Sequence, residues 1–356
     1  MSHDLYSLTA VVGFLVAIMV LARASADEGL FEAWAAVIAR TTTSSPSRRF
    51  ALVVVLIAVV TAVLTLHATV VLLLPVLLIA ARSARKATGL ATVRIANTGS
   101  TLLPTSNVTN LVAFAGTGLA FVEFAWLMLP VWAVGVAAEL AVLRWWFRRD
   151  FRDDPAPEVA EAPAVPLFPA AIIVAVLIAL TGGVDLWLPA AAGAILLSGY
   201  ALMRRMTTGQ DLFEAANLPL AVLMLVWALV VVWLGGTRAG DGIDQLVPSS
   251  DSLVALVVTA VVGMVAANLI NNMPATVLLL PAAAAAGPVT VLALLVGLNV
   301  GANLTAVGSL ANLLWRQAGP GDVTSWRTFH AIGLVTTPAI VVLCTTVLWA
   351  WTSLVR

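Results

Sequence analysis

"TVRIANTGSTLLPTSNVTNLVAF", residues 92–114, holds three Asn, five Thr, two Ser, one Gly, one Pro and one Arg in the middle of an oily chain. Hydrophobic residues make up 61% of the sequence and charged residues 10%, where a soluble domain carries about 25% charged residues. Mean hydropathy is +1.04. Such a composition predicts an integral membrane protein with several spans. In that setting a cluster of amides and hydroxyls has little water to meet. The stretch therefore reads as a membrane helix that breaks, its polar side chains satisfying freed backbone groups inside protein.

Working outward, a spanning helix needs about 20 mostly apolar residues. Spans are expected near 8–23, 128–146, 167–183, 186–203, 217–235 and 328–350. Residues 50–81 and 252–286 are apolar for too long to be one helix each, at about 1.5 Å per residue. Each is interrupted near its middle, by "LTLHAT" (64–69) and "NLINNMPAT" (268–276). Both are expected to be re-entrant hairpins with irregular tips buried in protein. Glu123 is expected to lie on an amphipathic connector at the membrane interface.

Charge placement fits this arrangement. With the N-terminus outside, 50–81 opening to the cytoplasm and 252–286 opening outward, 15 of the 18 Lys and Arg residues fall inside. Only Arg238 and Arg356 fall outside, and Arg94 is intramembrane, as the positive-inside rule asks. Residues 148–166, "RRDFRDDPAPEVAEAPAVP", are a polar, Pro-rich cytoplasmic linker.

The two sides of that linker resemble each other. "HATVVLLLP" (67–75) aligns with "MPATVLLLP" (273–281) at an offset of 206. "NTGSTLLPTSNVTNL" (97–111) aligns with "NVGANLTAVGSLANL" (299–313) at an offset of 202, pairing Asn97 with Asn299, Gly99 with Gly301 and Asn110 with Asn312. The charge pattern gives the copies opposite orientations. The expected fold is all-α: an inverted-repeat secondary transporter with two re-entrant hairpins and two broken helices. The first repeat is 1–147, shortened at its N-terminus, and the second is 167–356.

The blocks "DEGLFEAWAAVIAR" (27–40), "IANTGSTLLPTSNVTNLV" (95–112), "NNMPATVLLLP" (271–281) and "NVGANLTAVGSLANLLW" (299–315) resemble, in the same order, those of the arsenite/antimonite efflux permeases (ArsB type) of the ion transporter superfamily. "GLAFVEFAWLMLPV" (118–131) also fits. The resemblance covers nearly the whole chain and implies a binding site made by the two hairpin tips and the two helix breaks. Where the family commonly has Asn-Asp at the first tip, this chain has His67-Ala68. Where the breaks commonly carry Asp, it has Asn97 and Asn299. A Pro-Lys pair in the second break is replaced by Ala302-Asn303.

The candidate solute-binding set is His67, Thr69, Asn97, Thr98, Ser100, Thr101, Ser106, Asn107, Asn271, Asn272, Asn299, Asn303, Thr305 and Ser309. It contains no carboxylate. An unpaired charge at the midplane is costly, so a neutral hydroxyl-bearing solute such as As(OH)₃ suits donors and acceptors of this kind. The more ordinary reading is that these residues plug kinked helices and glue neighbours together. Thiolate capture is not expected, because Cys344 is the single cysteine.

Coupling candidates are His67, Glu139 and Arg94. Arg94 reads either as a ligand for an anionic solute or as a side chain that snorkels or pairs with Glu139. His67 reads either as a proton-coupling group or as a neutral, hydrogen-bonded tip residue.

No cofactor is implied, and no nucleophile–base pair, metal motif or phosphate-binding loop points to an enzyme. Basic residues form no face for nucleic acid. The partners compatible with the reading are the lipid bilayer, a small inorganic solute, a proton or other coupling ion, a second copy of the chain in a homodimer, and an outside ATPase subunit. The other readings are an anion (oxyanion or carboxylate) transporter of the same architecture using Arg94, and a membrane scaffold or degenerate paralogue without transport activity.

Overall fold

The computed structural model describes residues 2–41, 45–81, 84–151, 163–182, 184–219, 222, 226, 242, 245–323 and 325–355. The span expected at 217–235 and the core of the linker at 148–166 lie largely outside these residues. Regular structure among the described residues is helical: α1 Ser2–Asp27, α2 Leu30–Thr41, α3 Pro46–Val63, α4 (66–80), α5 Arg85–Gly99, α6 Val108–Ala115, α7 Phe121–Trp146, α8 Leu167–Thr181, α9 Trp187–Met203, α10 Gly209–Ala215, α11 Leu253–Ile270, α12 Asn272–Ala286, α13 Pro288–Asn299, α14 Leu310–Ala318 and α15 Trp326–Val355. Helices α3, α7, α11 and α15 are each long and apolar enough to cross a membrane.

Both over-long apolar stretches turn back on themselves. α3 ends where Thr65 becomes extended (φ 170°, ψ 160°), and the Thr65 side chain accepts the Ala68 N–H to start α4. α11 ends at Asn271 (φ 76°, ψ 150°), whose side chain accepts the Met273 N–H to start α12. Short polar side chains serve at both turns because they replace the backbone partner that a new helix lacks at its first turn. α4 is not uniform. Thr69–Leu73 is π-helical, just ahead of Pro75, which has no N–H for a regular i−4 bond.

Each hairpin's first arm packs against a broken helix at very short range. A methyl added at Gly99 would lie 3.2 Å from Ala58 Cα of α3, and one at Gly301 would lie 2.7 Å from Met264 Cβ of α11. Only glycine lets the backbones come that close. α7 and α15 run antiparallel. Trp351 Nε1 donates to the Trp126 carbonyl at one end, and the Gly135 backbone meets Cys344 further along.

The basic helix ends are tied to their neighbours. Arg144 bonds the Ser47 carbonyl, Arg204 pairs with Glu28, and Arg23 pairs with Asp27 and Asp211. Two hydrogen bonds from Thr208 hold the Asp211 carboxyl below its usual range.

Glu123 does not lie on a separate connector. Helix α7 runs unbroken from Phe121 through Pro130 to Trp146, and Glu123 sits in its first turn. There it accepts the Ala120 N–H, so the expected interfacial acid acts as a helix cap.

Candidate functional site

The two breaks have the same local anatomy. In the first, α5 stops at Gly99, the chain is extended at Leu103 (φ −116°, ψ 151°), makes one 3₁₀ turn at Pro104–Ser106, and restarts at Asn107 (φ −149°, ψ 147°). In the second, α13 stops at Asn299. A 3₁₀ turn at Gly301–Asn303 leads to extended Thr305 (φ −136°, ψ 167°), and after another at Ala306–Gly308 the chain restarts at Ser309 (φ −149°, ψ 156°). Asn107 caps α6 and Ser309 caps α14 with their side chains.

Buried asparagines staple the breaks to each other. Asn97 Nδ2 donates to Asn312 Oδ1 and to Asn303 Oδ1, both at 2.8 Å, and Asn97 Oδ1 accepts from Ser309 Oγ at 2.9 Å. In the matching place, Asn299 Nδ2 donates to Asn110 Oδ1 at 2.6 Å. Asn299 Oδ1 accepts from Asn107 Nδ2 at 2.9 Å and Thr109 Oγ1 at 3.0 Å.

The outer amides then satisfy unwound carbonyls. Asn110 donates to Ser100 O and Leu103 O, and Asn312 donates to Ala302 O and Thr305 O. Four of these bonds recur as pairs at the offset of 202: Asn97–Asn312 with Asn299–Asn110, Ser309–Asn97 with Asn107–Asn299, and the two carbonyl bonds of Asn110 with those of Asn312. Burying so many amides is tolerable because each finds partners.

Arg94 is fully buried and forms a two-pronged pair with Glu139, 2.8 and 2.9 Å. It also donates to Asn303 O and to Thr336. Asn303 Nδ2 reaches back to Arg94 O, Thr98 Oγ1 and Glu139 Oε1. Of the two readings of Arg94, the geometry is the paired one.

Several hydroxyls of the candidate set are occupied close to home. Thr69 bonds Thr65 O, Ser100 bonds Asn97 O, Thr101 bonds Thr98 O, and Ser106 bonds Ala62 O across to α3. Thr305 donates to Asn268 Oδ1. Asn268, Thr109, Asn110 and Asn312 belong to the network although the sequence reading left them out. The pairing of Asn110 with Asn312 in the repeat was the signal available for two of them.

A cavity of about 210 Å³ lies where the tips meet the first break. Its polar lining is His67, Asn107, Thr109, Asn271 and Asn272, set among Val108, Ile270, Met273, Pro274 and Leu310. The structure thus brings four of the predicted residues to one space and adds Thr109. Asn97, Asn299 and Asn303 stand behind it in the network. Asn271 has a backbone conformation that is nearly glycine's alone, and it is held there by its bond to Val307 O at 2.9 Å. Nδ1 of the buried His67 has no hydrogen-bond partner among the described residues.

The chain is similar to several known proteins. Residues 6–292 match the family described as "Citrate transporter" (CitMHS). An "Arsenical pump membrane protein" of Yersinia enterocolitica is 27% identical over 352 residues, covering 90% of this chain and 82% of that one. One of Escherichia coli strain K12 is 26% identical over 351 residues, with the same coverage. The crystal structure of the Alcanivorax borkumensis YdaH transporter, described as having an unusual topology, matches with a TM-score of 0.63 at 16% identity. That match covers 98% of this chain and 87% of the other, and it shows likeness of fold. With these likenesses and its apolar helices, this chain is a multi-pass plasma-membrane transporter rather than an enzyme. With most of its length matched by one family, the chain belongs to the CitMHS family of membrane transporters.

Proposed function

We propose that this transporter exports a small, neutral, polyhydroxylated solute, with arsenous acid and its antimony counterpart as the substrates that fit best. The carrying observation is the lining of the 210 Å³ cavity: amides, a hydroxyl and an imidazole, with no charged side chain. Amides and hydroxyls both donate and accept, and so replace the hydration of three hydroxyl groups. The volume is well above the ~10–15 Å³ that one water needs. The arsenical-pump relatives support the same choice of element. An anionic solute held by Arg94 has less support, since Arg94 is matched by Glu139 and lines no part of this cavity.

In this reading residues 1–147 and 167–356 are inverted repeats. The hydrogen bonds repeated at an offset of 202 and the antiparallel α7 and α15 support that relation. Proton exchange, where present, runs through His67, because Glu139 is committed to Arg94.

The test is arsenite tolerance and cellular accumulation in an efflux-deficient host expressing the chain. Lowered accumulation that Asn272→Ala abolishes is the expected result; unchanged accumulation sinks the reading. In proteoliposomes with an imposed pH gradient, His67→Gln is expected to leave only downhill flux.

A further inference from the structure

A second cavity, of about 290 Å³, is lined by Met19, Arg23, Ala68, Glu214 and Leu314 among others, and by His67. His67 is the one residue that lines both this cavity and the 210 Å³ cavity at the tips. The two spaces are stacked along α14: Leu310 borders one and Leu314 the other. Four residues of helix separate those levels by about 6 Å. Along α1 the order is the same. Leu15 and Met19 pack with Val108, Met273 and Leu310 at the tip level, and Met19 and then Arg23 border the second cavity. Arg23 is tied to Asp27 and Asp211 at the basic end of the molecule, which is the cytoplasmic end by the distribution of Lys and Arg.

We propose that the second cavity is a cytoplasmic loading vestibule for the solute, and that the His67 side chain is the partition between it and the tip cavity. His67 is 8% exposed, and its Nδ1 has no hydrogen-bond partner among the described residues. A buried polar atom left without a bond costs free energy, and a solute hydroxyl passing the ring supplies the missing partner. His67 stands two residues before the π-helical stretch Thr69–Leu73. Such a local departure from α geometry is frequent at functional sites, and it gives the tip a place to yield. The class of solute rests on the neutral-hydroxide reading above; the partition does not.

The experiment uses full-length chain in inside-out vesicles, in a Cys344→Ser background, with a small membrane-impermeant methanethiosulfonate added from the cytoplasmic face. Leu314→Cys reports the vestibule and Met273→Cys the tip cavity. Leu314→Cys is expected to label fast whatever stands at position 67. Met273→Cys is expected to label slowly with His67 or His67→Gln and at least about tenfold faster with His67→Ala, one decade of rate being one lowered barrier. Unchanged Leu314→Cys labelling in the His67→Ala chain shows that the fold has survived. Equal Met273→Cys rates in all three backgrounds, or a Leu314→Cys that reacts only from outside, overturn the proposal. Failure of arsenite export with this labelling contrast intact would count against the solute and leave the partition standing.

Discussion

Asn97 and Asn299 each hold buried partners on the opposite break, so their removal does more than delete one bond. Truncating Asn97 leaves the Asn303 oxygen short of a donor and removes one of two partners each from the Ser309 hydroxyl and the Asn312 oxygen, which keep their bond to each other. A buried group left unsatisfied costs about 1–3 kcal/mol. Asn97→Ala and Asn299→Ala are each expected to lower thermal stability in detergent by an amount in that range, and to lower transport with it. Their matched bonding predicts similar losses; a silent Asn299→Ala would contradict the equivalence.

The Arg94–Glu139 pair calls for a different pattern. Arg94→Met leaves a fully buried carboxylate, a change expected to cost about 3–5 kcal/mol. Arg94→Met combined with Glu139→Leu removes both charges and is expected to recover most of that loss. Thermal unfolding of the single and double variants checks it, and a double variant no better than the single would show that the pair is not the unit.

At the scale of elements, each hairpin packs on a broken helix through glycine: Gly99 in the first, and Gly263, Gly297 and Gly301 in the second. The methyl of Gly301→Ala would collide with Met264 at 2.7 Å, while that of Gly99→Ala would meet Ala58 at 3.2 Å. The second contact is tight and the first requires a shift of backbone or side chain, and overpacking of that kind costs about 1–3 kcal/mol. Gly301→Ala is therefore expected to lower the unfolding temperature clearly more than Gly99→Ala, measured on purified protein. The ends of elements were harder to read than their existence. α7 begins at Phe121 rather than near 128 because Glu123 caps it, and its early turns, with Val122 and Trp126 exposed, lack the uniformly apolar look of a span.

For the whole molecule the orientation is open to direct measurement. Cysteines placed at the exposed Gln210 and Asp322 are expected to react only from the cytoplasm, and those at the exposed Gly118 and Ser250 only from outside. Reaction of the Ser250 position from the cytoplasm would overturn the second hairpin's orientation.

What the sequence determined by itself was the class and the breaks. An apolar chain with 10% charged residues has no soluble fold open to it. A polar cluster inside such a chain must also sit where a helix comes apart, since lipid offers no partner for freed backbone groups. The repeat at an offset of 202 was legible for the same reason, because two breaks need the same amides. Which side chain borders the cavity was decided only by tertiary structure. Asn97 and Asn107 look alike in sequence, yet Asn97 is spent on Asn303 and Asn312 while Asn107 also borders the cavity. Arg94 was ambiguous until Glu139, 45 residues away, was brought to 2.8 Å. Hydrogen bonds act over about 3 Å, and residues separated by two hundred positions come within that range only when the two halves of the chain pack.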